Sequence, residues 1–223
     1  MKFIEDFLDS KILKYTFLPF LLSMIFWGVV FFLFSDKIYS FLLGYIQHLP
    51  FSSGIESILS GLGSVIVIAV LYYLAVISTL GIFSSFFIDH IVLRINEKHY
   101  GCVAKKPTFK DTLKGIAVSL KSFFIYIVLF IFTFWMLFIP VVNIFYQMFM
   151  WSVLNKKPLV FDSSYLFMEP SEFEKAANIK IWILVFISSL IYFIPVLGLF
   201  GYTFQLILIT HAALKYCKNK GEK

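Results

Sequence analysis

Two uncharged stretches of equal length constrain how this chain can fold. Residues 122–155 and 181–214 each contain 34 residues without Asp, Glu, Lys or Arg. The first contains LFIPVVNIF around Pro140, and the second contains YFIPVLGLF around Pro195. A helix of that length is roughly 51 Å long, against a bilayer hydrocarbon core of about 30 Å, whereas two full spans need about 40 residues plus a turn. Each stretch is therefore too long to cross a membrane once and too short to cross it twice.

The composition predicts an integral membrane protein. The chain is 60% hydrophobic and 14% charged over 223 residues, whereas about a quarter of the residues of a soluble domain are charged. Its 29 Phe, 12 Tyr and 4 Trp suit lipid contact and interfacial belts. The net charge of +6 comes from lysines that flank apolar stretches, so it indicates membrane topology and no nucleic-acid partner.

Neither the N-terminal segment nor the cysteines indicate processing or cross-linking. The first apolar stretch is too long for a signal peptide, and Glu5, Asp6 and Asp9 precede it. Cys102 and Cys217 are far apart in sequence and each lies near lysines. We therefore predict neither a disulfide framework nor a metal site.

Two further apolar segments are long enough to cross a bilayer. Residues 15–35 predict a first transmembrane helix, and residues 62–88 predict a second that crosses with some tilt. The second helix is expected to continue past the membrane through FIDHIVLRINEKHY. It carries a stripe at helical spacing that favours close packing in lipid, formed by Ala75, Ser78, Ile82 and Ser85.

The two uncharged stretches belong to similar units. Each unit begins with a pattern that resembles a helix capping box, Thr108 with Asp111 and Ser171 with Glu174. A short amphipathic helix, a lysine, the uncharged stretch and a second lysine follow in the same order. The order predicts an internal repeat; the alternative is two unrelated hydrophobic segments that share FIPV.

The lysines predict how the stretches enter the membrane. Of 19 Lys and Arg, only Lys37 lies between the two predicted spans, so residues 36–61 are assigned outside and the basic segments to the cytoplasm. The segment 156–180 is cytoplasmic only if each stretch enters and returns on the same side. Its arms of 14 to 19 residues then reach roughly 21–28 Å, short of a full crossing. We predict two hemi-penetrating (re-entrant) helical hairpins with Pro140 and Pro195 at their tips.

Such tips suggest a transport role. Proline interrupts a helix, and the downstream arm then begins with N–H groups that point at the tip and attract anions. Broken helices that meet inside the membrane are common in transporters. Asn143, Gln147 and Gln205 are candidate pathway residues. The alternatives are that each proline simply kinks a packed helix and that these side chains form interhelical hydrogen bonds.

A charged cluster follows the second predicted span. Asp89, His90 and Arg94 either contribute to a substrate pathway or lie among lipid headgroups. Enzyme signatures are absent: the sequence contains no HExxH, P-loop, GxSxG or GxGxxG, and the four histidines lack metal-ligand spacing. We predict no catalytic residues, no metal and no cofactor.

Several segments resemble one known family over nearly the whole chain. KILKYTFLPFLLS, SSFFIDHIVLRINEKHYG, the two FIP tips and YCKNK are similar to segments of the family of the sulfate transporter CysZ and etoposide-induced proteins. The resemblance implies two long transmembrane helices and two helix pairs inserted part way. It also implies homo-oligomers in the bacterial inner membrane that take up sulfate for cysteine synthesis.

The resemblance also implies an anion site before the first span. In the family, a Gly-Leu-Arg-type turn there is implicated in sulfate binding. The matching positions here read Lys11, Ile12, Leu13 and Lys14, of which Lys14 is the closest basic counterpart. Lys11 and Lys14 are therefore the candidate anion-binding residues, although lysine lacks the bidentate fork of arginine.

The sequence therefore predicts an all-α integral membrane protein of one membrane domain, with two long transmembrane helices and two hemi-penetrating hairpins. The predicted function is uptake of sulfate or a similar small anion by an inner-membrane transport protein whose two termini are cytoplasmic. Its predicted partners are the lipid bilayer, the anion and further copies of the chain. The alternative is a non-transporting membrane scaffold or envelope-biogenesis factor.

Overall fold

The computed structural model describes residues 2–47, 68–69, 71–73, 75–76, 79 and 83–221. These residues form helices and turns without a β-strand, which confirms the predicted all-α class. They divide into two compact units, one formed by Met1–Thr16 with Phe87–Lys223 and the other by Phe17–Phe86.

The smaller unit pairs the first long helix with residues that follow it. Helix α1 is Lys2–Phe7, and α2 is Ser10–Gln47 with a bend at Phe34 (φ −117°, ψ 16°). The bend falls at the predicted end of the first span. Polar contacts join α2 to its partner segment: Ser23 Oγ donates to Val76 O (2.8 Å), Tyr72 OH donates to Met24 O (2.7 Å), and Trp27 Nε1 donates to Thr79 Oγ1 (3.0 Å). Nearly half of the predicted second span, including Ser78 and Ile82 of its stripe, lies outside the described residues.

Helix α3, Ile88–His99, is a separate amphipathic helix. The prediction that the second span continues into it is wrong, because the chain turns at residues 86–87. Ile88, Ile91, Val92 and Ile95 share one buried face, as the i, i+3, i+4 and i+7 spacing requires. Gly101 ends the helix in the left-handed region (φ 69°), where a residue without Cβ is favoured.

The first uncharged stretch folds into a helical hairpin, here called hairpin 1. It consists of α4 (Phe109–Thr133), a 3₁₀ segment (Phe134–Phe138) and α5 (Val142–Ser164). The predicted capping box of Thr108 and Asp111 is confirmed. A Cβ on Gly115 would lie 3.2 Å from the Phe161 ring, and Thr133 Oγ1 lies 2.9 Å from Tyr146 OH. In each contact, the two residues lie at similar distances in sequence before and after residue 139. The two arms therefore run antiparallel.

The second stretch folds into hairpin 2. Its elements are α6 (Pro170–Ser188), a 3₁₀ segment (Ser189–Phe193), the one-turn α7 (Pro195–Gly198) and α8 (Gly201–Gly221). The second predicted capping box is wrong. The residue that precedes α6 is Glu169, without a side-chain cap bond, and Glu174 instead pairs with Lys156 (2.8 Å) and Lys157 (2.5 Å).

The two tips share one backbone pattern. Each begins with a five-residue 3₁₀ segment and then an isoleucine in extended conformation, Ile139 at φ −94°, ψ 110° and Ile194 at φ −99°, ψ 107°. The proline ring that follows disfavours the helical conformation of the residue before it, which explains the match. After the proline the tips differ, since Val141 has φ 68° whereas Pro195 begins α7. The repeat predicted from the sequence therefore extends to the backbone up to each proline.

The hairpin arms are longer than the predicted 14 to 19 residues. The amphipathic segment and the uncharged stretch form one continuous helix in α4, and α5 continues to Ser164 past Lys156 and Pro158. By length and composition, Ser10–Lys37, Phe109–Phe138 and Pro170–Phe193 are each able to cross a membrane. Arm length alone therefore does not distinguish a re-entrant hairpin from a crossing one.

The larger unit has a charged end and an uncharged end. At the charged end, here called the base end, Lys105 N donates to Leu166 O (2.8 Å) and Lys220 pairs with Glu172 (2.6 Å). These contacts bring together the open ends of both hairpins, whereas the tips lie within the uncharged stretches. The hydrophobic core is built from α3, α5, α6 and α8, while α4 leaves large side chains such as Phe124 and Phe132 exposed. An apolar exposed face of this kind suits lipid contact.

Candidate functional site

Gln205 is the centre of a buried hydrogen-bond network among α5, α6 and α8. Its Nε2 lies 3.1 Å from Val185 O, Ser188 Oγ and Ser189 Oγ. Its Oε1 accepts from Asn155 Nδ2 (2.9 Å) and from Tyr192 OH (3.1 Å). The Gln205 side chain is fully buried.

The sequence leaves two alternatives for Gln205, a pathway residue or an interhelical hydrogen bond. In the structure its side chain forms interhelical hydrogen bonds. Asn155 Nδ2 also donates to Tyr192 OH (2.8 Å), and the Trp151 ring stacks on the Tyr192 ring with centroids 4.6 Å apart. Every polar group of the amide is engaged by protein, as burial requires. The network therefore holds hairpin 2 closed near its tip and ties hairpin 1 to it through Asn155.

A second polar cluster lies at the base end around Asp6. The Asp6 carboxylate is fully buried, and Oδ1 lies 2.8 Å from both Lys98 Nζ and His99 Nε2. Its other oxygen lies 2.9 Å from His211 Nε2, whose Nδ1 contacts Tyr100 OH (2.9 Å). The cluster joins α1, α3 and α8 through one carboxylate.

Arg94, a predicted site residue, lies at the edge of this cluster. Its guanidinium is 3.5 Å from Asp9 Oδ2, which also lies 3.5 Å from Lys98 Nζ. Burial alone would raise the pKa of Asp9, but the backbone N–H groups of Lys11 and Ile12 and the two nearby cations lower it below its usual value. A hydrogen bond to Asp6 raises the pKa of Lys98. Arg94 is thus engaged in holding the base end together.

Asp89 lies in a separate group on the other side of α3. Tyr165 OH donates to Asp89 Oδ1 at 2.5 Å, and Tyr202 OH donates to Asp162 Oδ2 at 2.5 Å. Burial raises the pKa of Asp89, against the opposing effect of the Tyr165 hydrogen bond. Burial also raises the pKa of Asp162 to about 7, and the nearby Asp89 charge adds to the rise. Because the two carboxyl groups lie close enough for Asp89 to raise the pKa of Asp162, this group is a poor site for an anion.

We expect Asp162→Asn to remove much of the pH dependence of stability. Because the pKa of Asp162 is raised on folding, the folded state keeps its proton to higher pH, so stability falls as pH rises from about 4 through about 7. The loss reaches up to ~4 kcal/mol at pH 8. Asparagine cannot ionise, and its side-chain oxygen still accepts from Tyr202. At pH 8 the variant should therefore melt at a higher temperature than the natural chain.

Thermal unfolding of the detergent-solubilised protein at pH 5 and pH 8 measures this effect. Glu169→Gln, at an exposed carboxylate in the connection that follows α5, is the control and should leave the pH dependence unchanged. A residual dependence from Asp89 is expected in the Asp162→Asn variant. Equal pH dependence in Asp162→Asn and the natural chain would contradict the prediction.

The remaining predicted site residues lie apart from one another. Lys11 and Lys14 are exposed on the first turns of α2. His90 is exposed, with its ring stacked on Tyr15 at 4.8 Å. Asn143 and Gln147 bond to each other one turn apart on α5 (2.5 Å). The structure therefore does not bring the predicted pathway residues to one place.

The tip of hairpin 1 does not offer the N–H groups that the sequence suggested. There, Val142 N donates to Pro140 O (2.8 Å), Asn143 N to Ile139 O (3.0 Å) and Ile144 N to Val141 O (3.2 Å). The turn of hairpin 1 thus uses the donors that we expected to face an anion. In hairpin 2, Gly198 N donates to Ile194 O (2.7 Å). Pro140 is exposed, and no tip residue lines the cavity beside residues 175–184 or the cavity beside Lys2 and Lys215.

Sequence reasoning missed the residues that matter most at the base end. The sequence indicates Asp6 only as an acid before the first span and His99 only as a histidine without metal spacing. The one available signal was their position beside apolar helices, because a charged residue there is favourable only with a partner. Among the described residues, no group of three or more His, Cys, Asp or Glu is arranged to hold a metal.

Comparison with known protein families identifies the fold. Residues 1–201 match the family described as sulfate transporter CysZ/etoposide-induced protein 2.4. The chain belongs to this family. The match covers α1 through the first residue of α8, and with it hairpin 1, hairpin 2 up to Gly201 and the predicted site residues other than Gln205. No curated protein and no solved structure matches the chain.

Membership of the CysZ family confirms the resemblance recognised in the sequence. It indicates a membrane transport-related role for a multi-pass membrane protein, and the family is one of transporters rather than enzymes. The exposed apolar helices independently imply a lipid environment.

Proposed function

We propose that this protein takes up sulfate or a similar small anion across the bacterial inner membrane. The observation that carries the proposal is the match of residues 1–201 to the CysZ family. The paired proline tips with the same pre-proline backbone support it, because broken helices inside the membrane are a common transporter feature. The protein acts as a homo-oligomer and performs no enzymatic chemistry in this proposal.

In the proposed arrangement, both hairpins enter the bilayer part way from the cytoplasmic side. The base-end contacts between Lys105 and Leu166 and between Lys220 and Glu172 support this, because they hold the open ends of the hairpins together. The basic segments then share the cytoplasmic side, as the positive-inside rule favours. The termini lie on the same side.

The anion first meets Lys11 and Lys14 in this proposal. Both are exposed at the start of α2, and a lysine ammonium holds an oxyanion as a mobile point charge. His90, Asn143 and Gln147 remain candidate pathway residues in this proposal. Asp89, Arg94 and Gln205 act through the packing of the helices instead.

Uptake of labelled sulfate into proteoliposomes tests the proposed function. We expect protein-dependent uptake, reduced about tenfold or more in Lys11→Ala/Lys14→Ala, since charge-assisted contacts are worth about 1.5–3 kcal/mol each. Lys106→Ala, at another exposed base-end lysine, should leave uptake within about twofold of the natural chain. Absence of protein-dependent uptake for sulfate and other small anions would favour the scaffold alternative.

Labelling of single cysteines tests the re-entrant hairpins. In a chain with Cys102→Ser and Cys217→Ser, we expect Val103→Cys and Glu169→Cys to react with an impermeant thiol reagent from the same side. Val141→Cys at the tip should not react from the opposite side, where Ser52→Cys serves as the positive marker. Labelling of Val141→Cys together with Ser52→Cys would show that hairpin 1 crosses the membrane.

A further inference from the structure

A basic cavity opens at the base end between α1, the end of α3 and α8. It has a volume of about 440 Å³. Among the described residues, its wall contains three lysines and no carboxylate. The lining residues are Lys2, His99, Tyr100, Lys215, Lys218 and Asn219.

The fold forces these cations together. Lys215 and Lys218 lie on the same face of α8, three residues apart. Helix α1 brings Lys2 to them because Phe3 packs against Phe204 with ring centroids 4.8 Å apart. Lys2 Nζ lies 5.3 Å from the centroid of the Tyr100 ring. Because Lys2 and Tyr100 both line the cavity, the ammonium charge of Lys2 lies at its wall.

The buried carboxylate of α1 does not pair with a lysine of this cavity. Asp6, the buried carboxylate closest in sequence to Lys2, is engaged by Lys98 and His99. Within the described residues, neither Lys2 nor Lys215 takes part in an ion pair. Like charges held close destabilise a fold, so a bound anion would stabilise this arrangement.

We propose that this cavity binds an oxyanion of the sulfate or phosphate type, at a site separate from Lys11 and Lys14. The lysine ammonium groups and the Asn219 amide supply the donors, which suit a tetrahedral oxyanion. The volume exceeds that of a bare ion and accommodates a phosphate ester. The oxyanion comes either from solution or from a lipid headgroup, and the exposed Ile4 (50%) of α1 and Leu8 (65%) directly after it suit membrane contact beside the cavity. The site does not depend on the proposed transport activity.

Binding to the full chain in lipid nanodiscs tests the soluble source. The protein carries Lys11→Ala/Lys14→Ala, so that the candidate site on α2 does not contribute, and the nanodiscs contain phosphatidylcholine only. Binding of labelled sulfate and of inorganic phosphate should weaken about tenfold or more in Lys2→Ala/Lys215→Ala. The matched pair Lys106→Ala/Lys110→Ala removes the same charge from exposed positions outside the cavity and should change binding less than about twofold.

Nanodiscs that contain phosphatidylglycerol test the lipid source. Retention of this lipid on the purified protein, measured by native mass spectrometry, should fall in Lys2→Ala/Lys215→Ala and not in the matched pair. Lys2→Gln/Lys215→Gln, with melting temperatures for all variants, separates loss of charge from loss of folding. Loss in either arm supports the proposal and identifies the source. Equal binding by the two variant pairs in both arms, or no binding in either arm, overturns it.

Discussion

Asp6→Ala should destabilise the protein by about 3–5 kcal/mol, because it removes a fully buried carboxylate that pairs with Lys98 and His99. Lys98 and His99 both lie 2.8 Å from Asp6, and His211 lies 2.9 Å from it. Without this carboxylate, Lys98 keeps only Asp9, at 3.5 Å, and the two histidines lose their contact with Asp6. The expected result is a large drop in melting temperature, accompanied by release of α1 from α3 and α8.

Thermal unfolding in detergent measures the effect of Asp6→Ala, with Glu97→Ala as the matched control. Glu97 is an exposed carboxylate on α3, so its loss should change stability by no more than about 0.5 kcal/mol. A double-mutant cycle with Lys98→Ala should give a coupling energy above about 1 kcal/mol. Similar melting temperatures for Asp6→Ala and Glu97→Ala would show that the buried cluster does not hold the base end together.

Gln205→Leu should destabilise the protein by about 2–3 kcal/mol. Leucine fills a similar volume but leaves Asn155 and Tyr192 without their shared acceptor, and Ser188 and Ser189 without their donor. A single interhelical hydrogen bond in a membrane protein averages about 0.6 kcal/mol. The larger value is expected here because several buried partners lose their bond at once.

The control for Gln205→Leu is Gln147→Leu, which removes one bond to Asn143 on the same helix. Its effect should stay below about 0.5 kcal/mol. Tryptophan fluorescence gives a second readout, since Trp151 stacks on Tyr192 and should change environment only in Gln205→Leu. An equal effect of the two substitutions would mean that the network adds nothing beyond a single pair.

The hairpin turns were predictable because their cause is local. Steric contact between a proline and the residue before it acts within two positions, so Pro140 and Pro195 identify the turns in the sequence. The capping box at Thr108 is equally local and is confirmed. The one at Ser171 is not formed, since Glu174 pairs with Lys156 and Lys157 from the other hairpin. A long-range ion pair of this kind leaves no spacing signal.

The candidate site was less predictable because it depends on distant segments. The contacts of Asp6 reach 92, 93 and 205 positions along the chain, to Lys98, His99 and His211. Such pairings follow from how α1 and α8 pack, which a single sequence does not reveal. The same holds for Cys102, whose thiol lies 3.7 Å from Leu214 O, one turn before Cys217. The sequence placed these two cysteines far apart.

Helix α4, the first arm of hairpin 1, packs mainly against α5 and buries only Asp111 and Ser122. Most of α4 therefore requires an apolar side chain but no particular shape, and we expect exchange of one apolar residue for another there to leave the fold intact. Helix α8 buries Gln205, Leu206, Ile207, Ile209, Thr210, Ala213 and Leu214 and is constrained in shape as well. Helices α4 and α8 belong to hairpins whose tips share one backbone pattern, yet α4 should accept many apolar substitutions that α8 does not.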